Sequence, residues 1–156
     1  MSDDACQSST MNAPSVAQSI ARQCAERMYA DDAASRALGI VISEVAPGTA
    51  IASMPVRDDM VNGHGICHGG YVFTLADTAF AFACNTYDDV TVAAGADISF
   101  LEPVEAGTML AATAVEVVRR GRSGLYDVTV RREDGGVVAE FRGRSRSLGR
   151  PLLAGS

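Results

Sequence analysis

The spacing of apolar residues changes along the chain, and each change marks a different kind of element. After Pro14, apolar residues recur at four-residue intervals: Val16, Ile20, Cys24 and Met28. This spacing predicts an amphipathic helix that begins near the proline. The stretch ADDAASRALG, residues 30–39, predicts a short capped helical turn that Gly39 closes.

Strand-like alternation follows, on both sides of one long apolar segment. Residues 40–56, IVISEVAPGTAIASMPV, alternate around a Pro-Gly pair and predict a β-hairpin. A glycine-rich loop, DDMVNGHGICHGG at 58–70, leads into a helix predicted from about Gly69 to Asn85. Four further strand-like runs are separated by turns that contain Gly or Pro: 91–103, 107–120, 125–134 and 136–148.

These elements predict an α+β fold in a single domain. The helix at 69–85 is apolar on nearly every side, so it has to be buried, and the antiparallel strands are expected to wrap around it. An antiparallel β-sheet wrapped around a long central apolar helix is the hotdog fold. The domain is expected to span residues 14–150, between a disordered N-terminal tail at 1–13 and a C-terminal tail at 151–156.

Asp77 interrupts the apolar run FTLADTAFAFAC and has no counter-charge close to it in the sequence. Asp is rarely buried unless it is paired. The nearest basic residues are Arg57 and Arg119, and only His64 and His68 lie between them. The carboxylate is therefore a candidate base or nucleophile. The alternative is a structural Asp that is hydrogen-bonded to backbone N–H groups or to a distant Arg.

Charge and composition exclude several classes of function. A net charge of −6 argues against nucleic-acid binding, and no apolar span is long enough to cross a membrane. The acidic, polar N-terminus lacks the features of a secretory signal, so we expect a cytoplasmic protein whose four scattered cysteines are reduced. All thirteen basic residues are Arg, which excludes a Schiff base, a pyridoxal phosphate lysine and a Walker-type loop. The GxSxG motif of many serine hydrolases is also missing.

The segment NGHGICHGGYVFTLADTAFAFACN resembles the signature of the hotdog-fold acyl-CoA thioesterases of the phenylacetate-degradation (PaaI) type. In that family Asn-Gly-His is followed by Cys-His-Gly-Gly and then by Leu-Ala-Asp on the helix. The similarity extends from ALGI at 37–40 through DISFLEP and GLYDV to FRGRSRSLG at 141–149. There are two departures: Ala93 and Ala94 stand where relatives often carry a hydroxyl, and Arg144 stands where relatives can have Lys.

The resemblance implies an enzyme that hydrolyses an acyl-CoA to a free acid and coenzyme A, with no metal and no cofactor. It implies arylacetyl substrates such as phenylacetyl-CoA or hydroxyphenylacetyl-CoA, and it leaves short and medium acyl chains open. Two alternatives on the same fold are a hydratase or dehydratase and a non-catalytic acyl-CoA-binding protein. The place of Asp77 in the Leu-Ala-Asp motif disfavours a hydratase or dehydratase.

The residues themselves point to the same chemistry. The backbone N–H groups of Gly69 and Gly70, at a helix start, lack intrahelical partners and can form an oxyanion hole for a thioester carbonyl. A tight turn that needs glycine would also explain this pair. Asp77 follows Gly69 by about 12 Å of helix, too far to act on the same carbonyl. Two copies packed antiparallel about a two-fold axis would bring the two groups together. We therefore expect a homodimer with shared sites. A dimer of such dimers, a homotetramer, is the expected assembly, although the geometry alone does not separate dimer from tetramer.

The glycine-rich loop contains a second group of candidate residues. His64, Cys67 and His68 can be considered as zinc ligands, but no second ligand pair follows them, so no metal is expected. Cys67 and His68 are also a poor nucleophile–base pair, because adjacent side chains in an extended loop point apart. We expect His68 to orient the loop or the thioester, and Asn62 to brace the loop or position water. The resemblance supports both roles.

Coenzyme A carries phosphates, and two arginine-rich segments, RRGRSG and FRGRS, can bind them. Arg suits this task because its guanidinium binds phosphate in a bidentate manner. The candidate residues are Arg119, Arg120, Arg122, Ser123, Gly124, Arg142, Gly143 and Arg144, together with Gly70 at the helix start. The alternative is a solvated basic surface without a ligand.

Overall fold

Two helices precede the first strand. The computed structural model describes residues 13–154, so the predicted tail lies mostly outside it. Helix α1 spans Val16–Asp31, and the hydroxyl of its N-cap, Ser15, accepts a hydrogen bond from the Gln18 N–H at 3.2 Å. Helix α2, Ala33–Ala37, ends just before Gly39, whose φ of +71° is a left-handed conformation that glycine adopts at little cost. Both helices were predicted from the sequence.

Six antiparallel strands form one sheet. Their bounds are β1 Val41–Ala46, β2 Thr49–Pro55, β3 Thr91–Phe100, β4 Met109–Arg120, β5 Ser123–Arg132 and β6 Val137–Ser147. The order across the sheet is β1-β2-β4-β5-β6-β3, which leaves β1 and β3 at the two edges. A side-chain hydrogen bond of 2.6 Å from Gln18 to the Val45 carbonyl ties α1 to the β1 edge. Within the described residues, β3 pairs with β6 alone.

The long helix α3, Gly69–Cys84, packs on the inner face of the sheet. Its buried side chains meet inward-facing residues of the strands to form the core, for example Phe80 against Tyr126 and Phe141. Because a single sheet covers one side of a helix, a stripe of α3 stays only half-buried: Phe73, Thr74, Asp77 and Ala81. The helix is therefore wrapped less completely in one chain than its apolar sequence predicts.

The loop before α3 and the end of the chain are both fixed by hydrogen bonds. The loop contains a 3-10 turn at Asp58–Met60 and an isolated bridge between Val61 and Cys67. After β6, the Leu152 and Leu153 N–H groups both donate to the Asp88 carboxylate. The domain boundaries at 14 and 150 stay predictions. No helix in residues 13–154 is long and apolar enough to span a membrane.

Candidate active site

His68 caps the start of α3 with its imidazole. The ring Nδ1 accepts a hydrogen bond from the Gly70 N–H at 2.9 Å. A ring nitrogen that accepts a hydrogen bond uses its lone pair, so Nδ1 is the acceptor in this cap. Within residues 13–154 the Gly69 N–H donates to no acceptor, so it is the free donor at this positive end of the helix dipole. The predicted pair of donors is thus unequal, because one of them already has a partner.

Asn62 lies in the loop that leads to this helix start. Its side-chain oxygen accepts from the His64 N–H at 2.9 Å, and its backbone N–H donates to the Ile66 carbonyl at 2.8 Å. The loop is further held by the His68 N–H, which donates to the Met60 carbonyl at 2.8 Å. These contacts are compatible with the bracing role expected of Asn62, which stays a prediction.

A cavity of about 470 Å³ opens beside Gly69. Asn62 and Gly69 both line it, so the structure brings these two predicted residues together. Most of the remaining lining is apolar: Ile66, Val72, Phe100, Leu101, Val104 and Val138. The cavity therefore lies at the start of α3 and has walls that suit an apolar ligand.

Asp77 lies on the half-buried stripe of α3 and has no partner in the chain. Neither a hydrogen bond nor an ion pair reaches its carboxylate from residues 13–154, and burial raises its pKa. A structural Asp would have a backbone N–H group or an Arg beside it, and the described chain supplies neither. Asp77 is not among the residues that line the cavity at Gly69. One chain therefore presents the carboxylate and the carbonyl donor at separate places.

The cysteines and histidines do not converge on a metal site. The described residues contain no group of three or more His, Cys, Asp or Glu side chains placed to hold a metal ion. His64 is exposed, whereas Cys67 is buried and burial raises the pKa of its thiol. Cys84 lies in the core, where burial raises its pKa to about 12. These thiols are protonated at neutral pH and are poor nucleophiles.

Four of the predicted coenzyme A residues share one hollow of about 640 Å³ on the outer face of the sheet: Arg120, Ser123, Gly124 and Arg144. Strand register explains the grouping, because Ser123 lies opposite both Arg120 on β4 and Arg146 on β6. Within the described chain neither Arg120 nor Arg146 has an ion-pair partner, whereas Arg144 pairs with Asp97 at 2.6 Å. The hollow therefore offers two free guanidinium groups and a third in an exposed ion pair.

The other predicted residues lie elsewhere. The Arg119 guanidinium stacks on the Tyr87 ring at 3.8 Å, and Arg122 donates to the Ser147 carbonyl at 3.0 Å. Gly143 faces the core, where a Cβ would come within 2.7 Å of the Phe80 ring. Arg142 forms a bidentate ion pair with Asp127. Their proposed contacts with coenzyme A stay predictions, and we leave them out of the binding surface described below.

Sequence comparison places the chain among known enzymes. A model of the thioesterase superfamily matches residues 64–139. The acyl-coenzyme A thioesterase PaaI of Escherichia coli (strain K12) is 45% identical over 128 residues, which cover 81% of this chain and 91% of that protein. The chain belongs to the PaaI-type acyl-CoA thioesterases. It is a thioester hydrolase, which sets aside the hydratase, dehydratase and non-catalytic alternatives.

Solved structures of PaaI proteins confirm the hotdog fold. The E. coli PaaI protein from the phenylacetic acid degradation operon has a TM-score of 0.85 at 42% identity, covering 86% of this chain and 97% of that chain. A mutant of the phenylacetic acid degradation protein PaaI from Thermus thermophilus has a TM-score of 0.70 at 39% identity, with coverages of 73% and 97%. The α+β architecture predicted from the sequence is thus that of the PaaI fold.

Two residues of this PaaI-type thioesterase were missed by the sequence analysis. Phe100 lines the cavity at Gly69, although it lies 31 positions further along the chain. Arg146 lines the outer hollow, and only the pairing of β5 with β6 places it there. The available signals were an aromatic residue in the strand-like run at 91–103 and the alternation RGRSR.

Proposed function

We propose that this enzyme hydrolyses arylacetyl-CoA thioesters, with Asp77 as the base or nucleophile. The observation that carries the proposal is the Asp77 carboxylate, half-buried and without a partner in the described chain, on the stripe of α3 that the sheet leaves uncovered. Its raised pKa suits proton transfer or attack on a carbonyl. The arylacetyl class is supported by two relatives described as phenylacetic acid degradation proteins and by the apolar cavity beside Gly69.

The Gly69 N–H is the proposed donor to the thioester oxygen. Because it has no acceptor within residues 13–154, a substrate carbonyl can accept from it without breaking a protein hydrogen bond. His68 has a supporting role, since its Nδ1 holds the Gly70 N–H and so fixes the first turn of the helix. Asp77 either takes a proton from a water that adds to the carbonyl carbon or attacks that carbon itself, and the C–S bond then breaks to release the coenzyme A thiolate, which leaves as the thiol after protonation. After direct attack, water hydrolyses the resulting acyl-Asp77 anhydride to the free acid and restores the carboxylate.

The catalytic site is proposed to form between two subunits. Asp77 and Gly69 are about 12 Å apart along one helix, so an antiparallel partner helix has to supply one of them. The two-fold axis would cross α3 near Phe73, half-way between the two residues. The half-buried stripe around Asp77 gives the helices a surface on which to pack, and the open edge of β3 allows the two sheets to join.

A second interface on the outer face of the sheet would make a dimer of dimers. Strand β4 presents exposed apolar residues on the side away from α3: Met109, Val115 and Val117. Exposed apolar surface is a candidate interaction site. In the proposed tetramer, a second dimer covers this apolar surface.

The hollow on the outer face is the proposed site for the phosphates of coenzyme A. Its arginines supply charge, and Val118 and Leu125 supply an apolar floor for the nucleotide. Ala94 at the hollow and Phe100 at the cavity are separated by six residues of β3, or about 20 Å. Antiparallel pairing of two β3 edges reverses the strand direction. The hollow of one subunit then lies toward the Gly69 end of its partner along the strand direction.

Removing the guanidinium groups of Arg120 and Arg146 should weaken binding of the nucleotide part of coenzyme A and leave binding of the rest of the substrate unchanged. We expect Arg120→Gln with Arg146→Gln to raise KM for phenylacetyl-CoA about a hundredfold, since each of the two lost charge-assisted hydrogen bonds costs about 1.5 kcal/mol or more. KM for phenylacetyl-pantetheine, which lacks the nucleotide phosphates, should change less than about twofold. Arg142→Gln on the same face is the matched control, because Asp127 already holds that guanidinium. Equal effects on both substrates would remove the hollow from the binding site.

The substrate class is tested by thiol release from a panel of acyl-CoAs. We expect the highest kcat/KM for phenylacetyl-CoA and hydroxyphenylacetyl-CoA, and lower values for butyryl-CoA and octanoyl-CoA, because the cavity at Gly69 has an aromatic wall. The released thiol is followed with a disulfide reagent under conditions that keep the three described cysteines buried. A panel in which straight-chain substrates are hydrolysed best contradicts the arylacetyl assignment.

A further inference from the structure

Phe100, the last residue of β3, places an aromatic ring against the start of α3. Phe100 is 55% exposed, so much of its ring is accessible to a ligand. A Cβ built on Gly69 would lie 2.9 Å from the Phe100 Cζ atom, so the tip of the ring packs onto the bare Cα of that glycine. An acyl-CoA whose carbonyl accepts from the Gly69 N–H therefore brings its acyl group within reach of this ring.

The same ring is one wall of the cavity beside Gly69. At about 470 Å³ the cavity falls within the range of small-molecule sites, roughly 300–1,000 Å³. Its single carboxylate, Glu102, is paired with Arg132 at 2.7 Å, and its amide, Asn62, is engaged in the loop. The cavity therefore favours binding of an apolar acyl group over a charged one.

The geometry points to Phe100 as the residue that determines acyl specificity, by favouring an aromatic acyl group over a straight chain. Two aromatic rings gain from edge-to-face or offset stacking in addition to the area that they bury. A straight acyl chain gains from burial alone, and an aliphatic side chain of similar size would supply that equally well. The inference rests on the proposed function, because it takes the Gly69 N–H as the donor to the substrate carbonyl.

Replacing the ring by an aliphatic side chain of similar bulk tests this role. The measured quantity is the ratio of kcat/KM for phenylacetyl-CoA to kcat/KM for octanoyl-CoA. We expect Phe100→Leu to lower this ratio about fivefold, and Phe100→Met, a second ring-free variant, to do the same. Phe100→Tyr keeps the ring and should keep the ratio within about twofold. Val16→Ala, which truncates an exposed apolar side chain at the start of α1, is the matched control and should leave the ratio unchanged.

The outcomes separate this inference from the proposed function. An unchanged ratio in Phe100→Leu and Phe100→Met, with wild-type activity present, overturns the specificity role alone. An equal loss for both substrates also overturns it, because the ring would then only support the helix start. A wild-type enzyme that releases no thiol from any acyl-CoA overturns the proposed function and this inference together. Urea unfolding of each variant verifies that the compared proteins are folded.

Discussion

Asp77→Asn should lower kcat about 10²–10⁴-fold, the range for loss of an acid–base group. The substitution keeps the size and polarity of the side chain and removes its charge and basicity. Thiol release from phenylacetyl-CoA at saturation gives kcat, and calorimetric titration shows that the variant still binds substrate. Glu133→Gln, which changes an exposed carboxylate in the turn between β5 and β6, is the control and should keep the wild-type rate. A kcat near wild type in Asp77→Asn would contradict the catalytic role.

The same variant should be more stable than the wild type at neutral pH. Burial raises the pKa of Asp77, so its ionisation above that pKa costs the folded state more than the unfolded chain. The difference in free energy of unfolding between the variant and the wild type should decrease as the pH falls through the raised pKa toward about 3.9, the ordinary value for Asp. At that pH and below, the wild-type carboxyl becomes protonated in both the folded and the unfolded state. Urea unfolding at several pH values measures this difference. A variant that is both inactive and less stable at neutral pH would indicate structural damage instead.

Mixing two inactive variants should restore activity to about a quarter of the wild-type level. In a heterodimer of Asp77→Asn with Gly69→Pro, one site carries both defects and the other carries neither. Random association makes half of the dimers mixed, and each mixed dimer has one intact site of two. The activity is measured after co-refolding of equal amounts, with the heterodimer verified through distinct tags. A verified heterodimer without activity would show that each site lies within one chain.

Gly69→Pro suits this experiment because the backbone can accept it. Gly69 is the first residue of α3, where proline is favoured, and His68 before it has an extended ψ of 131° that proline tolerates. The substitution removes the N–H donor and also pushes on the Phe100 ring. Gly69→Ala adds the same Cβ and keeps the N–H, so it is the matched control for the steric effect. We expect it to retain more activity than the proline variant.

The elements of the fold were largely predictable because each one has a local signal. The apolar period of four residues and Pro14 placed α1, and alternation around the Pro-Gly pair placed the first hairpin. The apolar composition of 69–85 correctly indicated a helix packed against a sheet. The order β1-β2-β4-β5-β6-β3 had no such signal, since β3 pairs with β6 across separations of 39 positions (Phe100 with Ala139) to 56 positions (Thr91 with Ser147).

The candidate catalytic residues were also visible in the sequence, because their types and spacing are unusual. A single Asp in an apolar helix and a pair of glycines at its start are readable without a structure. The unequal state of the two glycine N–H groups was not readable, because it depends on the rotamer of His68. The sequence also could not show which arginines line the outer hollow. Arg120 and Arg144 were predicted and lie there. Arg119 and Arg122 were predicted as well, but their side chains contact Tyr87 and the Ser147 carbonyl.

The sequence by itself determined the secondary structure, the buried helix and the separation of Asp77 from Gly69, because these follow from local periodicity and a fixed helical rise. Only the tertiary structure decided which side chains meet across the sheet. Phe100 reaches Gly69, and Arg146 lies beside Ser123, through strand pairings between distant parts of the chain. The tertiary structure also decided that Asp77 lies on the uncovered stripe, because one sheet can cover only one side of a helix, whatever the composition of that helix.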